Sequence, residues 1–148
     1  MKILIADDEF TTRRLLQTYL EKWGHEVTAA KTGAEALELF QRGDYPMVVT
    51  DWSMPEMDGL ELIGHLRSLR GAGYVYIVLV TARAQTEDIV KGIDAGADDF
   101  VTKPFDRDEL RARMRAGERI VSSLQTIAEL RARLREALAR LGEATDPL

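Results

Sequence analysis

Short apolar runs recur along the chain at regular intervals: Ile3-Leu4-Ile5-Ala6, Val27 to Ala30, Met47-Val48-Val49, Val75 to Val80 and Phe100-Val101. They are rich in β-branched residues and mostly lack polar alternation, as strands buried on both faces do. Segments with helical spacing lie between them. Leu15, Leu16, Tyr19 and Leu20 form one apolar face, Ala36, Leu37, Leu39 and Phe40 a second, and Leu60, Leu62, Ile63 and Leu66 a third, while Ile89, Val90 and Ile93 mark a shorter one. Gly33, Gly43, Gly71, Gly73 and Gly96 punctuate the connections. Strand and helix alternate five times, which predicts a parallel sheet with right-handed crossovers and helices on both faces.

The pattern changes from Asp106 onward. Apart from the interior Gly117, no breaker occurs until Gly142, so a helix of roughly 35 residues, about 50 Å long, is expected. A compact five-unit domain needs about half of that to cover its last strand. Beyond Glu118 the apolar positions are Ile120, Leu124, Ile127, Leu134, Leu138 and Leu141, spaced by four, three, seven, four and three. This is an a/d heptad in which Arg131 replaces one apolar residue, a substitution that fixes register at some cost in stability. Two readings compete: a single helix lying on its own domain, and a two-stranded parallel coiled coil. The narrow stripe, flanked by Arg and Glu, favours the second. The chain then divides into a domain over 1–120, a helical extension over 121–142 continuous with the last domain helix, and a tail over 143–148.

At 148 residues the chain suits one domain, and its 45% hydrophobic and 30% charged content is that of a soluble globular protein. No run approaches the roughly 18 apolar residues that span a bilayer, and the opening apolar stretch is too short for a signal peptide. With no cysteine there is neither a disulfide framework nor a thiolate metal site. The default expectation is a cytoplasmic protein without membrane contact. Charge is unevenly spread: residues 1–106 hold 11 Lys/Arg against 18 Asp/Glu, a net of −7, while residues 107–140 hold 9 Arg against 5 acids, a net of +4. An acidic body argues against nucleic-acid binding. Acids interrupt the Arg-rich stretch, which therefore reads as a solvated helix face rather than a basic patch.

In an open parallel sheet, functional groups collect beyond the carboxyl ends of the strands. Here strand one finishes at Asp7-Asp8, strand three at Asp51, strand four at Thr81, and strand five just before Lys103. Each alone has a bland explanation. Asp7-Asp8 would cap a helix, Asp51 would be a turn residue, Thr81 an N-cap, and Lys103 a solvated surface cation. Their joint occurrence at successive strand ends favours one site. Clustered carboxylates repel one another and need a cation to coexist, and hard oxygen ligands suit Mg²⁺ (or Mn²⁺). A carboxylate can attack a phosphoryl group and form an acyl phosphate. Transfer then rests on positioning and charge neutralisation by a metal and a lysine.

The chain resembles the receiver domain of two-component response regulators. The matching residues are Ile3-Leu4-Ile5-Ala6-Asp7-Asp8-Glu9, Val48-Val49-Thr50-Asp51 leading to Met54-Pro55-Glu56-Met57-Asp58-Gly59, Val80-Thr81-Ala82, and Ala95-Gly96-Ala97-Asp98-Asp99-Phe100-Val101-Thr102-Lys103-Pro104-Phe105. They cover about residues 1–120 in order. The resemblance implies a flavodoxin-like α/β fold, doubly wound, with five parallel strands in the order 2-1-3-4-5 and an extended C-terminal helix.

The resemblance further implies that Asp51 receives the phosphoryl group from a histidine kinase, a phosphotransfer protein or a small acyl phosphate. Asp8, Asp51 and the Ser53 backbone carbonyl would ligate Mg²⁺, with Asp7 acting through a water. Lys103 would pair with Asp51 and then with a phosphoryl oxygen, aimed by a cis Lys103-Pro104 peptide. Thr81 would donate to a phosphoryl oxygen and Phe100 would turn inward as the switch aromatic. Ser53 and Arg83 fall at positions that tune dephosphorylation. A phosphoryl group adds nearly two negative charges and three strong acceptors, so an arrangement that binds them gains free energy over one that does not. The state would pass to a homodimer formed by Ile120, Leu124, Ile127, Arg131, Leu134, Leu138 and Leu141.

The closing Ala144-Thr145-Asp146-Pro147-Leu148 resembles the opening of a diguanylate cyclase domain that follows such a linker, which implies a chain truncated before its output domain. Two alternatives stand beside the switch. A haloacid-dehalogenase-like phosphatase also uses Asp, Thr, Lys and Mg²⁺, but resembles a pattern with a general acid two residues after the nucleophile, where Ser53 stands here. A pseudo-receiver serving only as a dimerisation scaffold conflicts with the intact set of Asp7, Asp8, Asp51, Thr81 and Lys103. Trp52 beside Asp51 reads as ordinary packing in preference to a partner contact. His25 and His65 lack metal-ligand spacing and receive no role.

Overall fold

The structure, a computed structural model, describes residues 1–69 and 73–145. Gly71 and the closing Asp146-Pro147-Leu148 lie outside the described residues, and with them most of the cyclase-like motif. The elements alternate as expected: β1 (Lys2–Ala6), α1 (Phe10–Lys22), β2 (Glu26–Ala30), α2 (Gly33–Arg42), β3 (Met47–Asp51), α3 (Gly59–Ser68), β4 (Tyr76–Thr81), α4 (Thr86–Ala95), β5 (Asp99–Thr102) and α5 (Arg107–Thr145). The five strands pair in parallel in the order β2-β1-β3-β4-β5. This is the flavodoxin-like doubly wound sheet, with an extended C-terminal helix. Among the described residues no helix is long and apolar enough to cross a membrane.

Alternation along each strand splits the core into two layers. Leu4, Val48, Ile77 and Leu79 face α2 and α3, packing with Phe40, Leu62, Ile63 and Leu66. Ile3, Ile5, Met47, Val49, Val78 and Val80 face α1 and α5, packing with Leu16, Leu20, Leu110 and Met114. A continuous apolar run is what a strand covered on both sides requires, so the expected reading of these runs holds.

Helix α4 departs from expectation. Ile89, Val90 and Ile93, read as its inner face, are 42, 51 and 47% exposed, and the one buried residue of this helix is Gly92. The reason is steric. A Cβ at Gly92 would collide with the Phe100 ring, so the ring occupies the space an α4 side chain would otherwise take. The helix then ends on Gly96 in the left-handed region, φ 117°.

Helix α5 is 39 residues long. Asp106 starts it, its Oδ1 accepting the N–H groups of Asp108 (2.8 Å) and Glu109 (3.0 Å). Leu110, Met114 and Val121 are buried against the sheet. Gly117 lies between them because the helix approaches β3 and β4 closely: a Cβ there would stand 2.7 Å from Met47 Cε and 2.8 Å from Tyr76 Cε1. The core contact of α5 thus runs to Val121, and Leu124 is half-buried one turn later. From Gln125 to Glu143 every side chain is exposed.

These packing differences separate two helix-interior glycines. A Cβ at Gly64 in α3 meets nothing within 4 Å, so Gly64→Ala is expected to raise stability by about 0.5–1 kcal/mol. Gly117→Ala should show no such gain, because crowding against Met47 and Tyr76 offsets the helix preference. Urea midpoints of the two variants test this; equal gains would show that α5 does not approach the sheet so closely.

Candidate functional site

Strand register builds the site. Ala6 pairs with Thr50, Asp51 with Val80, and Thr81 with Thr102. The next residues, Asp7 and Lys103, therefore emerge beside Asp51 and Thr81 at one edge. Asp7, Asp8 and Asp51 each offer a carboxylate oxygen, all within 4.8 Å of one another. Lys103 Nζ lies 3.1 Å from Asp51 Oδ2 and 3.3 Å from Asp7 Oδ2. Asp7, Asp8, Asp51 and Lys103 meet here, and Thr81 ends the adjoining strand β4.

Their surroundings differ. Asp7 and Asp51 are buried, at 0 and 7% exposure, whereas Asp8 faces solvent. The Asp7 carboxylate accepts the Glu9 N–H at 2.9 Å, and its carbonyl accepts Arg13 Nη1 at 2.9 Å. The N-cap of α1 is Glu9, so the Asp7-Asp8 pair does not occupy the cap position. The Lys103-Pro104 peptide is cis, and the Lys103 N–H donates to the Thr81 carbonyl at 2.8 Å. Thr81 is buried at the end of β4, with its Oγ1 accepting the Arg83 N–H at 2.9 Å. The cap of α4 is Gln85, so Thr81 is no N-cap either.

Electrostatics follow from this crowding. Burial, reinforced by the neighbouring Asp51 charge, pushes the Asp7 carboxyl up from 3.8 to about 6, although the Glu9 N–H and Lys103 pull the other way. Burial would lower Lys103, but the charge of Asp7 outweighs it, together with the hydrogen bond and charge of Asp51, so its affinity for a proton rises. Three carboxylates against one ammonium leave an excess of negative charge. An all-oxygen donor set of this kind fits a hard divalent cation such as Mg²⁺.

The remaining expected residues surround this centre. Ser53 is exposed on the loop after Asp51. Trp52 is 3% exposed and packs in the core, and the Arg83 guanidinium covers its ring with Cζ 4.7 Å from the centroid. Phe100 is half-buried against Gly92. Ile120, Ile127, Arg131, Leu134, Leu138 and Leu141 are exposed on α5.

Sequence reasoning missed the polar links between elements, among them one that ties β2 to α5. The buried His25 places Nε2 3.0 Å from Glu118 Oε1, tying the β2 edge to α5, and its Nδ1 lies 3.2 Å from the Met1 amino group. Burial holds His25 below its ordinary value, although Glu118 opposes this. A lone His after a glycine turn gave no sign of a partner 93 positions away.

Residues 3–115 match the family described as the response regulator receiver domain. The "Probable transcriptional regulator ycf27" of Cyanophora paradoxa is 43% identical over 115 residues, 78% of this chain and 47% of that protein. "Transcriptional regulatory protein SrrA" of Staphylococcus aureus (strain NCTC 8325 / PS 47) is 38% identical over 115 residues, 78% of this chain and 46% of that protein. The chain spans about half the length of the curated relatives it matches. Among solved structures, the receiver domain of the Francisella response regulator 1452 has a TM-score of 0.71 at 34% identity, covering 86% of this chain and 98% of that one. The Vibrio cholerae chemotaxis protein CheY4 has a TM-score of 0.74 at 28% identity, covering 78% and 96%.

The shifted Asp7 carboxyl makes a prediction for the metal-free protein. Between 3.8 and about 6 the folded state holds a proton that the unfolded state has lost, so stability falls as pH rises through that window, and the full cost persists above it. Asp7→Asn should therefore stabilise the protein in EDTA at neutral pH by roughly 1–3 kcal/mol, the gain vanishing below about pH 4. Urea unfolding across that range checks it. A gain that does not change with pH, or a loss at neutral pH, would contradict the electrostatic account.

Proposed function

The chain belongs to the response regulator receiver domain family, and we propose that it acts as a switch thrown by phosphorylation of Asp51. The observation that supports Asp51 most is Lys103 Nζ at 3.1 Å, beside two further carboxylates on the same sheet edge. A carboxylate oxygen of Asp51 attacks phosphorus, the bond from phosphorus to the donor breaks, and an acyl phosphate forms. The donor is a histidine kinase, a phosphotransfer protein or a small acyl phosphate.

Asp8, Asp51 and the Ser53 carbonyl are the groups that would hold Mg²⁺ or Mn²⁺, with Asp7 reaching it through a water. When bound, the cation neutralises charge among the acids and on the phosphoryl oxygens. Lys103 holds Asp51 before transfer and a phosphoryl oxygen after it. Thr81 accepts the Arg83 N–H, which leaves its own proton for donation to a phosphoryl oxygen. Its shift draws Phe100 inward along Gly92. Ser53 leaves room for water and Arg83 screens the acyl phosphate; their balance sets its lifetime.

The state reaches α5, whose exposed aliphatic stripe pairs with that of a second copy in a parallel homodimer. Beyond α5 the output is either that of the transcriptional regulators among the relatives or a diguanylate cyclase, whose opening the final residues resemble. We place the chain in the cytoplasm, without membrane or nucleic-acid contact of its own and without turnover beyond its own phosphorylation and dephosphorylation. A phosphatase would want an acid where Ser53 stands.

Incubation with radiolabelled acetyl phosphate and Mg²⁺ should label the chain stoichiometrically, and both Asp51→Asn and EDTA should abolish the label. Retained label in Asp51→Asn would move the acceptor elsewhere; sustained turnover of a generic phosphate ester would favour the phosphatase.

A further inference from the structure

Helix α5 outruns the domain by several turns. Ile127, Leu130, Leu134, Leu138 and Leu141 project from that stretch with exposures of 44, 55, 59, 58 and 60%. Their spacing is three, four, four and three. At about 100° per residue they fall within an arc of about 80°. Arg131 lies outside that arc, about 60° from its middle. Leu124, which the heptad pattern assigns to the same stripe, is turned toward its own domain: it is half-buried and lines a cavity with Phe40, Tyr45 and Val121.

We infer that the dimer seam of α5 runs through Leu130 and excludes both Arg131 and Leu124, and that its occupant is the same seam of a second copy. This rests on the homodimer reading above and specifies which residues meet. Ile127 to Leu138 and Leu130 to Leu141 are each 11 positions apart. An 11-residue repeat has about 3.67 residues per turn, close to a straight helix, so two such helices run side by side nearly straight or with a slight right-handed twist. A heptad seam would instead wind left-handedly and bury Arg131.

Two features favour a second copy over another partner. First, residues 129–143 hold four arginines and three glutamates, a net of +1, too little charge to draw this face to an acidic protein or an anionic membrane. Arg133 and Arg140 each follow a glutamate by four positions, Glu129 and Glu136, the favourable order for pairing within one helix. What remains on the seam is aliphatic and matches itself. Second, burying five such side chains on each of two chains, at roughly 80–100 Å² apiece, removes on the order of 800–1,000 Å² from water. That only reaches the roughly 1,000 Å² a specific interface must clear, the size of a weak, reversible dimer.

The chain has no cysteine, so single replacements report the seam without interference. Leu130→Cys, Leu134→Cys, Leu138→Cys, Arg131→Cys and Glu129→Cys are oxidised with and without acetyl phosphate and Mg²⁺, with sedimentation of the unmodified chain alongside. The three leucine positions should each cross-link to their own copy about tenfold faster than Arg131→Cys or Glu129→Cys, as expected of side chains inside a helix seam. Fast linking at Arg131→Cys with slow linking at Leu130→Cys would overturn this seam while leaving the dimer intact. If Leu130→Cys links only to Leu138→Cys in a mixture, the helices run antiparallel and the parallel dimer is wrong. A monomer in sedimentation with no linking in either state would remove the dimer, and the seam with it.

Discussion

Two carboxylates buried side by side repel each other, and in this protein the Lys103 ammonium stands between them, 3.1 Å from Asp51 and 3.3 Å from Asp7. Much of the molecule serves to hold that contact. Parallel pairing of β1, β3, β4 and β5 delivers the acids and the lysine to one edge in fixed register, and the two apolar layers keep the strands from sliding. A one-residue slip would turn every side chain to the opposite face. The arrangement remains short of positive charge, a shortage that a divalent cation among the acids would relieve.

The same contact lies one step from helix α5. Lys103 belongs to the segment between β5 and α5, and its N–H bonds the Thr81 carbonyl. This bond joins the end of β4 to the segment that follows β5. That strand is coupled to α5 by Asp99, which pairs with Arg113 at 2.8 Å. Further along α5, Glu118 grips His25 and the Arg111 guanidinium lies 5.7 Å from the Trp23 ring centre. The helix is thus anchored to both edges of the domain before it leaves it. Contacts thus run from the acids through Lys103 and β5 to α5.

Much of this was legible in the sequence because it depends on short-range pattern. The apolar runs at Ile3 to Ala6 and Met47 to Val49 located strands to within a residue or two, and Asp7, Asp51, Thr81 and Lys103 lay where strand ends must deliver them. What was not legible depends on who meets whom across the fold. Ile89 and Ile93 have helical spacing yet face outward, because the Phe100 ring fills the place opposite Gly92. Gly117 reads as a helix defect until Met47 and Tyr76 are seen pressing on it. His25 finds Glu118 only after the chain has folded back. A heptad count cannot know that Leu124 is already occupied by its own domain.

The central claim is that the acids form one cation site beside the acceptor carboxylate. Crystals of the protein grown with Mn²⁺ and examined at the manganese absorption edge test it directly. The account predicts one strong anomalous peak in coordination distance of Asp8 and Asp51, with Lys103 still beside Asp51. No peak among the acids at saturating Mn²⁺, or a peak bound only by acids outside the cluster, would contradict it.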